Sequence, residues 1–298
     1  MKCKYRDVTP QDYELLTKYW DITKDQPSDY TPIVLIAWRN DYDYKICHDE
    51  KNELIWLCGT EMKTHNLAPL GDCNKNNWEE IIETNFGKEV EFEMVCENLL
   101  KVWKEQLKDK ITLEERRGYW EYLYDANSLA TLKGNRLMAK RNKVNKFTKT
   151  YEYEYIPFCS ETSQMILDFQ KKWCLKNYCA SEEGLLKEDH AIHEILTHWG
   201  KYQNLAGGAI SIEGKIIAYT IGEIYKDNLY VHFEKANINY PASYQIINKE
   251  FVSRVMKQFP NITTVNREED LDDEGLRHAK MSYMPKDFLK KYYVKISL

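Results

Sequence analysis

The stretch Ala206–Lys235 constrains this chain more than any other. Three apolar-rich segments, GGAISIEG, KIIAYTIGEIY and NLYVHFEK, are separated by Glu213-Gly214 and by Lys226-Asp227-Asn228. β-Branched and aromatic runs bounded by such turn residues predict a three-strand antiparallel meander. Before it, Tyr151–Phe158 (YEYEYIPF) reads as a strand, and Glu161–Asn177 and Leu185–Trp199 read as two helices. After it, Pro241 opens a helix through Phe259, because proline suits the first helical turn. Thr263–Asn266 then predicts a strand, Gly275–Tyr283 a short helix and Lys291–Ile296 a last strand.

The first half reads as a looser version of the same plan. CKYRDV (residues 3–8) is strand-like, and Thr9-Pro10-Gln11-Asp12 starts a helix, with Thr9 able to cap it. Asp43–His48, Glu53–Cys58 and Val90–Cys96 predict strands, and Asn77–Asn85 and Glu97–Leu107 predict helices. Ile111–Arg117 and Tyr119–Tyr124 follow. A chain of 298 residues with no linker rich in Pro, Ser or Gly suits two α/β domains packed on each other, 1–150 and 151–298. Each is expected to be a mixed, mostly antiparallel sheet flanked by helices.

Charge is concentrated in one place. The chain has a net charge of −5, yet Leu132–Lys149 holds Lys133, Arg136, Lys140, Arg141, Lys143, Lys146 and Lys149 and no acid. Gly134 ends a preceding turn, and a helix is expected from Asn135, placing Arg136, Lys140 and Lys143 on one stripe. Leu137 and Val144 would seat that helix on a core. A seated positive face suits phosphate, a nucleotide or an RNA backbone, and the bland alternative is a solvated helix face. Arg117, Tyr122 and Tyr124 precede the helix. With Lys140 and Arg141 they form an expected clamp for a polyanion between the domains, a tyrosine stacking on a base. The overall acidity argues against a general nucleic-acid coat protein, and DNA is not expected as a partner.

The longest apolar run, Ile33–Trp38, is far below the roughly 20 residues a spanning helix needs. The N-terminus lacks the apolar core of a signal peptide. Cysteines 3, 47, 58, 73, 96, 159, 174 and 179 contain no C-x-x-C pair, so they are expected as reduced thiols of a cytoplasmic protein. No metal is expected. His193 and His198 are five apart, about 140° around a helix, and cannot share an ion. Asp270–Gly275 begins like a calcium loop, but its twelfth position is Met281. Gly207-Gly208 is too short for a phosphate loop.

The order strand, two helices, three antiparallel strands, helix, strand, helix, strand resembles the GNAT acyltransferase core. Three strings sharpen the resemblance: Arg117–Phe147, Phe233–Phe251 (FEKANINYPASYQIINKEF) and Val265–Lys286 (VNREEDLDDEGLRHAKMSYMPK). Together they resemble a large, little-characterised bacterial family similar in fold to the C-terminal domain of phosphatidylglycerol lysyltransferases. The resemblance implies two GNAT-like domains. It also implies movement of an acyl or aminoacyl group to an amine or hydroxyl acceptor, from acetyl-CoA or aminoacyl-tRNA. One departure bears on the donor. The turn after the third meander strand reads ANINYPASYQ, without glycine, and Ala242 stands where relatives often carry one. GNAT enzymes that use CoA hold its pyrophosphate on backbone N–H groups of a glycine-rich loop, so a donor held by side chains is favoured here.

Within that frame Glu234, at the end of the third meander strand, is the expected base or amine-binding group. Tyr244 and Gln245 would supply hydrogen bonds to the reacting carbonyl. Asn266, Arg267, Glu268 and Asp270 would face the same gap, and Arg277 and Lys280 would bind phosphate or carboxylate. Glu234, Tyr244 and Arg267 are thus the catalytic candidates. The rival is a non-catalytic module binding RNA, a nucleotide or another anion in a basic inter-domain cleft. Polar groups of this kind also form buried networks that only hold a fold together.

Overall fold

The computed structural model describes residues 4–60 and 64–298. The chain divides into two compact units. One runs to Trp120 and takes back Leu289–Leu298; the other is Glu121–Phe288. The division falls after Trp120, not at residue 150.

The elements of the first unit are β1 (Arg6–Asp7), α1 (Tyr13–Ile22), α2 (Pro32–Ala37), β2 (Lys45–Asp49), β3 (Leu54–Thr60), β4 (Thr64–Leu67), β5 (Leu70–Gly71), α3 (Trp78–Phe86), β6 (Glu89–Cys96), α4 (Glu97–Leu107) and β7 (Ile111–Glu115). Those of the second are β8 (Glu121–Asp125), α5 (Ala126–Thr131), α6 (Met138–Thr150), β9 (Glu154–Pro157), α7 (Ser163–Asn177), α8 (Glu183–Thr197), β10 (Leu205–Ile212), β11 (Lys215–Tyr225), β12 (Asn228–Ala236), α9 (Ser243–Gln258), β13 (Thr264–Asn266), α10 (Glu274–Met281) and β14 (Asp287–Leu289). The chain ends in β15 (Lys291–Ser297). The fold is of the α/β class read from the sequence. Both sheets are mixed and mostly antiparallel, with parallel pairs at β4–β6 and β12–β13.

In the first unit the sheet order is β1-β2-β3-β4-β6-β15-β7, with β5 on β3. Its core is aromatic: Trp56 meets Phe86 at 5.0 Å, and Trp78 and Phe92 meet Trp103 at 5.4 and 5.1 Å. Burying rings of this size supplies much of the unit's hydrophobic stabilisation. The run Ile33–Trp38, read only as too short for a membrane, supplies helix α2, whose first turn is capped by Thr31. The strand-like opening survives as the short β1, and Thr9 and Asp12 bond reciprocally ahead of α1, Thr9 N donating to Asp12 at 2.8 Å.

In the second unit the order is β14-β8-β13-β12-β11-β10-β9. The meander and both its turns lie where expected. Two placements differ from the sequence reading. Strand β8 and helix α6 belong to this unit, since Val265 pairs with Tyr124 and α6 packs against α9. The last strand β15 belongs instead to the first unit, pairing with β6 and β7. Helix α6 starts at Met138, so Arg136 precedes it; Leu137 and Val144 are buried and seat it with Phe147 against Ile246, Ile247 and Phe251.

The cysteines correct the expectation of uniformly reduced thiols. Cys174 and Cys179 are joined, their Cα atoms 5.0 Å apart, because Tyr178 adopts a left-handed backbone (φ 56°) that folds the end of α7 back on itself. Cys47 is also disulfide-bonded, whereas Cys58, Cys73, Cys96 and Cys159 are free; Cys3 lies outside the described residues. Among the described residues no helix is long and apolar enough to cross a membrane.

Candidate active site

The site is created by a strand pair that parts. β12 and β13 run parallel only over Asn228–Tyr230 and Thr264–Asn266. β12 then continues to Ala236 while β13 stops, leaving a wedge with Glu234 on one strand and Arg267 just past the other. Arg267 Nη2 donates to Glu234 Oε1 at 3.1 Å, and Asn248 Nδ2, from α9, donates to Oε2 at 3.3 Å. Tyr124 and Tyr283 wall the cation, with the guanidinium carbon 6.0 and 5.1 Å from their ring centres. Lys140 of α6 reaches the same Tyr283 ring, its Nζ 4.4 Å from the centre. Gln245 lies near enough to the Tyr283 hydroxyl, and the Ala236 backbone and Trp173 near enough to that of Tyr244, to influence their ionisation, and Tyr244 is within electrostatic reach of Glu234. Thus Tyr244, Gln245, Arg267 and Lys140 gather around Glu234 and Tyr283.

Burial shapes the charges. It raises the Glu234 carboxyl above its ordinary range, against the pull of Arg267, Asn248 and Lys280. It also lowers Lys140, helped by repulsion from Lys143 and Arg267, and pushes the Tyr283 hydroxyl up to about 12. Among the described residues no carboxylate pairs with Lys140, nor with Lys133, Arg136, Lys143, Lys146 or Lys149.

The remaining candidates hold the frame. Asp270 is fully buried and accepts from Tyr122, from Asp272 N at 2.9 Å and from Arg277 Nε and Nη2 at 2.9 and 2.7 Å. Burial alone would raise it, but these donors hold it down at about 2. Arg277 also binds Asp272 at 2.6 Å. Lys280 Nζ donates to the carbonyls of Arg267, at 2.6 Å, and Glu269, fixing the backbone that carries the site's arginine. Asn266 donates to the buried Glu121 and accepts from Glu268 N at 2.9 Å. Arg141 Nη1 donates to Leu132 and Gly134 carbonyls at 2.8 and 3.3 Å, closing the loop ahead of α6. Tyr122 and Tyr124 alternate inward from β8 and are 0 and 1% exposed, so the expected base stacking does not fall to them. Arg117 belongs to the first unit, its guanidinium carbon 5.2 Å from the Trp120 ring.

Residues the sequence reading missed are Asn248, Tyr283 and the buried pair His232 and Glu223, which meet the partly buried Glu268 that the sequence had pointed to. Asn248 was findable, four residues after Tyr244 and so on the same face of α9. His232 and Glu223 carried no local signal. His232 is the extra residue of a bulge where pairing shifts from Ile221↔Phe233 to Gly222↔Val231. Its Nδ1 lies 2.7 Å from Glu268 and its Nε2 3.5 Å from Glu223. The turn into α9 adds a further feature: Ala242 has φ 72° and ψ 17°, a left-handed conformation that favours glycine.

Residues 20–295 match the family described as the C-terminal domain of phosphatidylglycerol lysyltransferase. The chain belongs to that family. A conserved protein of unknown function from Bacteroides thetaiotaomicron is 30% identical in sequence and superposes with a TM-score of 0.86, the match covering 99% of this chain and 100% of that one. The C-terminal domain of a putative lysylphosphatidylglycerol synthetase from Agrobacterium fabrum shares the fold at a TM-score of 0.66 and 13% identity, over 96 and 91% of the two chains. An uncharacterized protein of Mycoplasmoides gallisepticum is 24% identical over 177 residues, 59% of this chain and 56% of that protein. The chain therefore spans little more than half the length of that curated relative.

Proposed function

We propose that the protein transfers an acyl or aminoacyl group to an amine or hydroxyl acceptor, with the β12–β13 wedge as the reacting centre and α6 as the seat of the donor's phosphates. The observation that carries this is Lys140. It is desolvated, has no carboxylate partner among the described residues, and shares the Tyr283 ring with the Arg267 that binds Glu234. A partly buried unpaired cation calls for an anionic ligand beside the carboxylate. Membership of a family named for lysyl transfer supports acyl transfer as the reaction class.

In this scheme the acceptor nitrogen or oxygen bonds to the donor's carbonyl carbon, the donor's ester carbon–oxygen bond breaks, and the acceptor's proton passes by way of Glu234 to the leaving oxygen. A carboxylate whose basicity is raised by burial suits that task. The phosphate backbone of a charged tRNA fits six unpaired cations along Lys133–Lys149 better than the compact pyrophosphate of acetyl-CoA does. The α9 turn, with Pro241 and no glycine, offers that pyrophosphate little backbone.

The test is titration with aminoacyl-tRNA, uncharged tRNA and acetyl-CoA at near-physiological salt. Preference for the charged tRNA is expected, and tight acetyl-CoA binding with indifference to the aminoacyl end would overturn the donor assignment. The double change Lys140→Ala with Lys143→Ala should lower the slope of log affinity against log salt by between about 1 and 2. Glu234→Gln should abolish turnover while affinity changes only a few-fold. Retained turnover would leave a second reading, a non-catalytic RNA- or nucleotide-binding module, which the unpaired cations of α6 support equally.

A further inference from the structure

The acceptor atoms around Glu234 are not all used. Asn248 is 1% exposed, and its Oδ1 has no hydrogen-bond partner among the described residues. The amide cannot satisfy that atom by turning over. Its Nδ2 donates to Glu234 Oε2 at 3.3 Å, and the flipped amide would set oxygen against carboxylate. A buried acceptor without a donor costs free energy, and such atoms persist where a ligand supplies the donor. Beside it, each Glu234 oxygen accepts one bond, from Arg267 and from Asn248, and a carboxylate oxygen has room for a second. The Glu234 side chain keeps 10% of its surface exposed, so a ligand can reach the carboxylate beside which the buried Asn248 oxygen lies.

Two adjacent acceptor groups, one charged, need a ligand with at least two N–H or O–H donors and a positive charge. A hydroxyl has one donor and no charge. A primary ammonium has three donors and the charge. We infer that Glu234 and Asn248 form a cradle for a primary amine of the substrate, with Asn248 Oδ1 selecting amine over hydroxyl. This rests on the wedge being the reacting centre and adds the chemistry of the group bound there. The amine has two sources, the α-amine of an aminoacyl donor or the amine of an acceptor.

Alaninamide, Nα-acetyllysinamide and N-acetylalaninamide separate these cases when titrated by calorimetry or ligand-observed NMR. The first presents an α-amine, the second only a side-chain amine, the third none. At least one of the first two is expected to bind tenfold or more tightly than the third, and whichever binds names the source. Asn248→Leu should weaken that binding at least tenfold. If Asn248→Leu fails to fold, Asn248→Ser, with a hydroxyl that still accepts, is expected to retain amine preference. Equal binding of all three amides, no binding of any of them, or an Asn248→Leu protein that binds amines like the parent would overturn the cradle. Affinity for uncharged tRNA measured on the same samples tells the two ideas apart: it should be unchanged in Asn248→Leu. Its absence in the parent, with amine selectivity intact, would remove the tRNA donor and leave the cradle standing.

Discussion

His232 shows how much free energy single residues control here. Its side chain is 1% exposed between two carboxylates, with Glu268 the closer partner and Glu223 contributing charge from 3.5 Å. Burial alone would lower its pKa, but the two carboxylates outweigh it and raise the group from 6.5 to about 9. A pKa raised by folding stabilises the native state fully below about 6.5, and that stabilisation fades as pH rises through about 9. Denaturant melts at pH 6 and pH 9.5 should therefore show the parent losing stability at the higher pH. His232→Gln should lose about 3–5 kcal/mol at pH 6 and most of the pH dependence; an unaltered pH dependence would sink the assignment. Ala242 stores strain in the other direction. An L-residue in the left-handed region costs roughly 1 kcal/mol that glycine avoids. Ala242→Gly should thus raise stability by up to about 1 kcal/mol, read from the midpoint of urea unfolding. At this scale the sequence pointed to Glu234, Arg267 and the missing glycine at 242. It did not show that Asp270, Arg277 and Lys280 bind one another and the backbone, because residue type reports a charge and not its partner.

At the scale of elements, period and turn chemistry were enough to place the meander, α7, α8 and α9 to within a few residues. The Pro at 241 and the run of strand formers carry strong local preferences. The bulge at His232 was invisible, since one added residue leaves alternation nearly intact. It depends on Gly222, where a Cβ would lie 2.2 Å from the Tyr230 carbonyl oxygen. Gly222→Ala should destabilise by about 1–3 kcal/mol and move the Glu234 environment with it. Thermal unfolding and the amide shifts of β12 check this, and an unperturbed β12 would show that the strands part for another reason. Helix α6 lies where its charge run predicted, yet it starts after Arg136, because Gly134 at φ 91° and the loop closed by Arg141 delay the first turn.

At the scale of the whole molecule the chain leaves the first unit after Trp120 and returns to it at Leu289. β15 is not an edge of the first sheet. It lies between β6 and β7, with Lys291, Val294 and Ile296 buried and Lys291 paired to Asp29. Removing Leu289–Leu298 should therefore unfold the first unit's sheet, though most of its strands lie some two hundred residues earlier. Hydrogen exchange should show β6 and β7 amides losing protection while β10–β12 keep theirs; protected β6 amides would contradict the central placement of β15. Composition, periodicity and turns alone determined that the chain is α/β, where most elements lie and which segment is basic, while the family resemblance rested on the three strings Arg117–Phe147, Phe233–Phe251 and Val265–Lys286. Each of those is written in residues close together along the chain. Which strand pairs with which, where the units divide, which cations lack a partner and which buried amide keeps a free oxygen were decided only by the tertiary structure. A strand's own residues carry its period and burial but not the identity of the open edge it will meet.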